Sequence, residues 1–110
     1  MSRLKPPPAS PNCVSSKADP SDKEHYIEPL AVADLDRIRQ VVDGMPRTRV
    51  KTAEDDYLHA VFTSALFRFK DDVEFEVEGD IVHVRSASRV GYSDLGANRK
   101  RVEAIRKALG

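Results

Sequence analysis

The segment from Arg85 to Arg101 concentrates side chains suited to binding an anion. It lies between a strand-like run and a helix-like run, and the first N–H groups of a helix lack intrahelical partners and carry partial positive charge. Guanidinium groups donate paired hydrogen bonds to phosphate or carboxylate, and hydroxyl and amide groups orient such a ligand. We therefore predict a site for a small anionic ligand, formed by Arg85, Ser86, Ser88, Arg89, Asn98 and Arg99.

A second set of residues is predicted to support this site, namely Cys13, Asp71, Asp72, Tyr92 and Asp94. A structural interpretation of the same residues stays open. Asp94 can cap the last helix, and Asp71 and Asp72, which we place in the turn before Val73, can supply a turn residue and an ion pair with an arginine. In that case the polar segment is a buried network in a structural or protein-interaction module.

Enzymatic chemistry at Cys13 or at Asp71 and Asp72 is another alternative. A nucleophilic thiol needs a base or a positive environment, and the sequence brings none of the three histidines to Cys13. Adjacent carboxylates on an extended chain point to opposite sides, which disfavours their joint action. No cysteine and histidine spacing typical of zinc is present, so we predict no metal site, and no cofactor is identified.

Composition narrows the class of protein. The chain has 110 residues, which suits one domain, and its 18 basic residues balance its 18 acidic residues. This balance argues against nucleic-acid binding through bulk charge, and no aromatic residues interleave the basic helix residues. No apolar run approaches the roughly 20 residues of a membrane-spanning helix, and no signal-peptide pattern is present. We expect a cytoplasmic protein, without a prediction of its oligomeric state.

Two helices are predicted from apolar residues at helical spacing. Asp34 can act as N-cap of the first helix, whose apolar stripe contains Leu35, Ile38, Val41 and Val42. The second helix is predicted from about Asp94 to Leu109, with its stripe at Val102, Ile105 and Leu109.

The region between the helices is predicted to form strands. Residues 47–52 alternate in the manner of an edge or half-exposed strand, and residues 73–85 form a hairpin with its turn at Glu78-Gly79-Asp80. The hairpin places His83 and Arg85 opposite Glu74 or Glu76. Residues 56–69 match both a helical stripe and a strand, and their β-branched and aromatic content favours a long strand, irregular near residues 64–66.

These elements predict an α+β fold. We expect an antiparallel sheet of three to four strands with both helices packed on one face, preceded by an extended Pro-rich arm. Residues 1–9 are predicted to be a disordered or extended tail, and residues 10–110 a single domain that includes the arm around Cys13.

Three blocks of sequence resemble the signature of a known family. They are residues 10–16 (SPNCVSS), residues 69–75 (FKDDVEF) and residues 85–99 (RSASRVGYSDLGANR). They are similar to the family catalogued as domain of unknown function 1499, over about residues 10–109. The resemblance implies that the arm around Cys13 belongs to the domain, and it supplies no activity. Many relatives resemble membrane-anchored or exported proteins, and this chain departs from them in having no such segment.

Overall fold

A computed structural model describes residues 2–66 and 68–110. The described residues form five strands and two helices. In chain order these are β1 (Cys13–Ser15), α1 (Leu35–Asp43), β2 (Thr48–Ala53), β3 (Tyr57–Thr63), β4 (Lys70–Glu78), β5 (Ile81–Ser88) and α2 (Ala97–Ala108). The α+β class with two helices is therefore as predicted.

The strands form one antiparallel sheet in the order β1-β5-β4-β3-β2. The sheet has five strands, so the prediction of three to four was too low. The strand that the sequence did not reveal is β1, which pairs Val14 with Ser86. Three residues are too few to show a period of two, and β1 exists because β5 offers it an edge to pair with.

The hairpin of β4 and β5 confirms its prediction. Glu74 pairs with Arg85 and Glu76 with His83, and Gly79 adopts a φ of 63° in the turn. A positive φ costs glycine little, which explains its place in this short connection. Asp71 and Asp72, however, lie inside β4 and not in a turn before Val73, because β4 begins at Lys70.

The ambiguous residues 56–69 form a strand over β3 and a connection over residues 64–69, within which Phe67 lies outside the described residues. Strand β3 ends before Ser64, which forms two hydrogen bonds with Phe69 at the other end of the connection. The N–H of Ser64 donates to the Phe69 carbonyl at 2.9 Å, and the N–H of Phe69 donates to Oγ of Ser64 at 2.9 Å. The strand prediction is confirmed for residues 57–63, and β2 forms the predicted sheet edge.

The two helices differ in how their starts follow the sequence. Asp34 caps α1 as predicted, since its side chain accepts a hydrogen bond from the N–H of Arg37. Helix α2 begins at Ala97 rather than at Asp94, because Leu95 and Gly96 have left-handed φ values of 54° and 82°. Asp94 lies before the helix, and its side chain accepts hydrogen bonds from the N–H of Gly96 at 2.8 Å and from the N–H of Asn98, in the first turn of α2, at 3.2 Å.

Both helices pack on one face of the sheet, as predicted. The core is lined by fully buried aliphatic and aromatic side chains, including Ile38, Val42, Phe75, Val84, Val102 and Ile105. Alternation along β4 sends Val73 and Phe75 to this helix-covered face and Asp72 and Glu74 to the other face. We call the second face the polar face.

Residues 2–12 form neither helix nor strand, and their first residues contact the polar face. Oγ of Ser2 and the N–H of Arg3 both donate to the carboxylate of Glu76 at 2.8 Å. The Arg3 guanidinium lies 3.7 Å from the ring centroid of Tyr57 and 2.7 Å from the carboxylate of Glu54. The extended Pro-rich arm and the domain boundaries stay predictions.

Candidate functional site

Three chain connections meet at one end of the sheet. Strand pairing places Thr48 opposite Phe62, Thr63 opposite Lys70, and Asp71 opposite Ser88. The start of β2, the β3–β4 connection and the loop after β5 therefore lie side by side. We call this region the loop end of the sheet.

A basic cleft of about 360 Å³ opens at the loop end. It is lined by Arg47, Thr48, Arg49, Val61, Thr63, Arg68 and Lys70. All four basic side chains are exposed, and no carboxylate lines the cleft. Within residues 2–66 and 68–110, none of these four side chains forms a salt bridge. The cleft therefore carries four positive charges that have no salt-bridge partner among the described residues.

Two of the cleft arginines have unusual backbones. Arg47 and Arg68 have φ values of 56° and 58°, in the left-handed backbone region that residues other than glycine rarely adopt. The Nε–H of Arg47 donates to the Thr63 carbonyl at 3.1 Å, which orients its guanidinium along the end of β3. Backbone strain of this kind often accompanies function, since the surrounding structure must maintain it.

The predicted residues Ser86, Ser88 and Asn98 meet on the helix-covered face. Oγ of Ser86 donates to Oδ1 of Asn98 at 2.6 Å. Nδ2 of Asn98 lies 2.9 Å from Oγ of Ser88, 2.7 Å from Oδ2 of Asp94 and 3.1 Å from the carbonyl of Asn12. Asn98 and Ser86 are completely buried. We call this group the Asn98 network.

An ion pair completes the Asn98 network. Arg101 donates to Oδ1 of Asn98 at 2.8 Å and pairs with the carboxylate of Asp71 at 2.8 Å. Its guanidinium lies 4.9 Å from the ring centroid of Phe62. Each polar group of the network thus has a partner in the protein, which leaves few donors for a ligand.

Arg89 and Asp72 lie on the polar face, away from the Asn98 network. Arg89 donates two hydrogen bonds to the Asp72 carboxylate, at 2.8 and 2.9 Å, and Nε2 of His59 lies 2.8 Å from Oδ1 of Asp72. The Arg89 hydrogen bonds lower the pKa of Asp72 to about 2, with a further contribution from His59. The predicted anion ligand Arg89 already has an anionic partner.

Arg85 also lies on the polar face. Its guanidinium is 3.9 Å from the Glu74 carboxylate, which accepts a short hydrogen bond from the Tyr57 hydroxyl. Burial of Tyr57, and next its hydrogen bond to Glu74, raise the pKa of the phenol. Among the described residues, Nε of Arg85 is the one buried side-chain nitrogen or oxygen without a hydrogen bond. Tyr57, Glu74 and Arg85 line a pocket of about 380 Å³ on this face.

The last predicted ligand, Arg99, lies apart from both groups. Its guanidinium donates to the carbonyls of Lys23 and Glu24, at 3.2 and 3.4 Å. Tyr92 is exposed on the loop after β5. The structure therefore brings together Ser86, Ser88, Asn98 and Asp94, and it holds Arg85, Arg89 and Arg99 elsewhere.

The family comparison agrees with the sequence blocks noted above. The family model described as "Protein of unknown function (DUF1499)" matches residues 3–109. The chain belongs to this family. A search of curated proteins gave no match. The DUF1499 description assigns no activity, so any functional argument rests on the geometry of this chain.

Two further findings concern membrane-spanning helices and metal sites. In the described part of the chain, no helix is long and apolar enough to cross a membrane. The same residues contain no group of three or more histidine, cysteine, aspartate or glutamate side chains placed to hold a metal ion.

Cys13 lies in β1 opposite Ala87, with its side chain almost completely buried. Its thiol is 3.7 Å from the carbonyl of Val14. Burial raises the pKa of the thiol, although the charge of Arg85 opposes this shift. Since the thiolate is the reactive form, this environment is the reverse of the one that activates a nucleophilic cysteine.

The sequence contains a signal for the basic cleft that our reasoning did not use. Arg47 and Arg49 stand at the start of the run 47–52, and Arg68 and Lys70 stand between the run 56–69 and the strand after it. Antiparallel pairing of these runs brings the four basic residues to one end of the sheet. Recognising that β2 and β4 both flank β3 would have joined the two basic pairs.

Proposed function

We propose that this protein binds a small anion, with phosphate or carboxylate groups, in the basic cleft. The observation that supports the proposal is the absence of any carboxylate among the cleft residues, beside four cationic side chains. Like charges held close together repel, and an anion between them relieves that repulsion. Phosphate and carboxylate suit arginine because its planar donors bind two oxygens at once.

The sheet supports such a site mechanically. Arg49 and Lys70 project from β2 and β4, on either side of β3, whose residues Val61 and Thr63 form the cleft floor. Three paired strands hold these positions relative to one another, so the backbone loses little conformational freedom when a ligand binds. The Thr63 hydroxyl adds a neutral group that can donate to a ligand oxygen.

The segment from Arg85 to Arg101 is a weaker candidate for the same function. An anion would have to displace the Asp72 carboxylate from Arg89, or the backbone carbonyls from Arg99. Displacing a partner removes hydrogen bonds of similar strength to those gained. A ligand site in this segment stays a prediction, and the test below includes it.

Calorimetric titration with inorganic pyrophosphate at low ionic strength tests the proposal. We expect the unmodified chain to bind, and the variant Arg49→Gln/Lys70→Gln to bind at least about tenfold more weakly, since each lost charged hydrogen bond is worth about 1.5 kcal/mol or more. Lys100→Gln/Lys107→Gln is the matched control, because it removes two exposed charges from α2.

The result separates the cleft from the predicted segment. Unchanged affinity in the control, with weakened binding in the cleft variant, supports the proposal. If Arg89→Ala abolishes binding while Arg49→Gln/Lys70→Gln retains it, the site lies on the predicted segment and the basic cleft is not the binding site. The absence of any heat of binding, for the unmodified chain and for every variant, would overturn both the basic cleft and the segment from Arg85 to Arg101 as anion sites.

A further inference from the structure

Exposed apolar side chains gather at the loop end of the sheet. Leu66, Tyr92 and Leu95 are 80%, 74% and 88% exposed, and Val90 and Phe69 are each about half exposed. In the described part of the chain these are all of the exposed large hydrophobic residues, and each lies in the β3–β4 connection or in the loop after β5. Exposed apolar groups concentrated in one region mark an interaction surface.

The two connections are in direct contact, so their apolar residues lie at the same end of the sheet. The N–H of Arg89 donates to the carbonyl of Lys70 at 3.1 Å, which joins the end of the β3–β4 connection to the start of the loop after β5. Leu66 and Phe69 lie on one side of this junction, and Val90 lies next to Arg89 on the other.

Backbone strain is also concentrated at this end. The described residues other than glycine with positive φ are Arg47, Arg68 and Leu95, one in each of the three connections that meet here. A left-handed leucine that is almost fully exposed gains nothing from packing within the protein. Binding of a partner molecule or a membrane to this surface would explain both the backbone strain and the exposed apolar side chains.

The positive charge beside the apolar residues indicates which kind of partner this surface binds. Arg68 and Lys70 of the basic cleft lie in or next to the connection that carries Leu66 and Phe69. A second copy docked on this surface by a two-fold axis would place basic cleft near basic cleft, which is unfavourable. An anionic membrane surface presents negative headgroups above acyl chains, and it therefore complements both features together.

We infer that the loop end docks on the surface of an anionic membrane. Leu66 and Leu95 enter the boundary between headgroups and acyl chains, the Tyr92 ring lies at headgroup level, and the basic cleft holds a lipid phosphate. The inference rests on the proposed function, because the lipid headgroup is the anion that the basic cleft binds. It adds the source of the anion and the apolar half of the contact.

Sedimentation of the full chain with vesicles tests this inference. The vesicles contain phosphatidylcholine alone, or phosphatidylcholine with about one third phosphatidylglycerol, at about 0.1 M salt. We expect binding to the anionic vesicles and little binding to the neutral ones. Leu66→Asn/Leu95→Asn is expected to weaken binding at least about tenfold, because two leucines no longer leave water.

Matched variants separate apolar insertion from loss of folding or of charge. Leu66→Met/Leu95→Met keeps apolar groups at both positions and is expected to keep membrane binding. Asparagine tolerates left-handed φ better than leucine, so Leu95→Asn does not strain the loop further. Arg49→Gln/Lys70→Gln is expected to lose binding to anionic vesicles, and Lys100→Gln/Lys107→Gln to retain it.

Four outcomes decide the inference. Anionic vesicle binding that depends on both leucines supports it. Pyrophosphate binding without vesicle binding overturns the inference and leaves the proposed function standing. Vesicle binding that the asparagine variants do not weaken also overturns it, since adsorption by charge alone then accounts for the data. A dimer in sedimentation velocity that Leu66→Asn/Leu95→Asn dissociates would assign the surface to a second copy and overturn the membrane docking.

Discussion

The Asn98 network and the basic cleft are both arginine-containing polar clusters, and they differ in whether the protein supplies their partners. In the network, Arg101 pairs with Asp71 and with the Asn98 side chain, beneath α2. In the basic cleft, Arg49 and Lys70 are exposed, form no salt bridge among the described residues, and no carboxylate lines the cleft. The first cluster is suited to holding the fold together, and the second has charge available for a ligand.

This difference shows that the density of polar residues in a sequence does not by itself locate a binding site. Ser86 and Asn98 are buried and hydrogen-bonded, so their polarity stabilises the junction between β5 and α2. Buried polar groups that lack partners are costly, which is why folded proteins satisfy them internally. Groups that bind ligands must keep donors unused, and the basic cleft meets that condition.

The largest expected effect comes from breaking the network. Asn98→Ala leaves Oγ of Ser86 and the amide's other neighbours without their buried partner, so we expect the free energy of unfolding to fall by about 2–4 kcal/mol. Urea denaturation measures it. Gln40→Ala, which removes an exposed amide from α1, is the control and should cost less than about 0.5 kcal/mol. Equal losses in both variants would contradict the structural role of the network.

A smaller effect on the free energy of unfolding is expected at low pH, where Asp72 on the polar face becomes protonated. The pKa of Asp72 is about 2 in the folded protein against an ordinary value of 3.8. A lowered pKa stabilises the fold above the unfolded-state value, and this contribution is lost as the pH falls from about 4 through 2. Because Asp72 is partly exposed, solvent screening reduces its contribution to about 1 kcal/mol.

Comparison of Asp72→Asn with the unmodified chain isolates that contribution. The two unfolding free energies should differ by about 1 kcal/mol at pH 6 and converge toward pH 2. Asp55→Asn, which removes an exposed carboxylate, is the control and should change the free energy of unfolding at pH 6 by less than about 0.5 kcal/mol. A difference for Asp72→Asn that persists unchanged at pH 2 would show that the Arg89 pairing is not its source.

The smallest effect on stability is expected at the basic cleft. Arg49→Gln/Lys70→Gln removes two unpaired, exposed charges, so the free energy of unfolding should change by less than about 0.5 kcal/mol, or rise slightly as repulsion is relieved. Urea denaturation beside Asn98→Ala measures it. A loss as large as that of Asn98→Ala would mean that the cleft residues hold the fold together, and the contrast between the two clusters would fail.

The elements that sequence predicted are those with long local patterns. The alternation from Val73 to Val84 predicted the hairpin, with His83 and Arg85 opposite Glu74 or Glu76, and Asp34 predicted the start of α1. Strand β1 was missed because its three residues form a strand only against β5. The start of α2 was placed too early because a leucine gives no sequence signal for the left-handed backbone that Leu95 adopts before the helix.

The candidate site was less predictable than the fold because it depends on which strands are neighbours. Arg49 and Lys70 are distant in the sequence, and the pairing of β2 and β4 with β3 brings them to one cleft. The segment from Arg85 to Arg101 is continuous, and a continuous polar run is easily mistaken for a single site. Alternation along β5 sends Arg85 and Ser86 to opposite faces of the sheet.

Amide NMR of the full chain during titration with pyrophosphate tests the central claim most directly, because it reports the backbone N–H groups of both regions in one experiment. The account predicts progressive shifts at Arg47, Arg49, Thr63 and Lys70, with the amides of Ser86 and Asn98 unchanged. Shifts concentrated at residues 85–101, with the cleft amides unmoved, would contradict it and return the anion site to that segment.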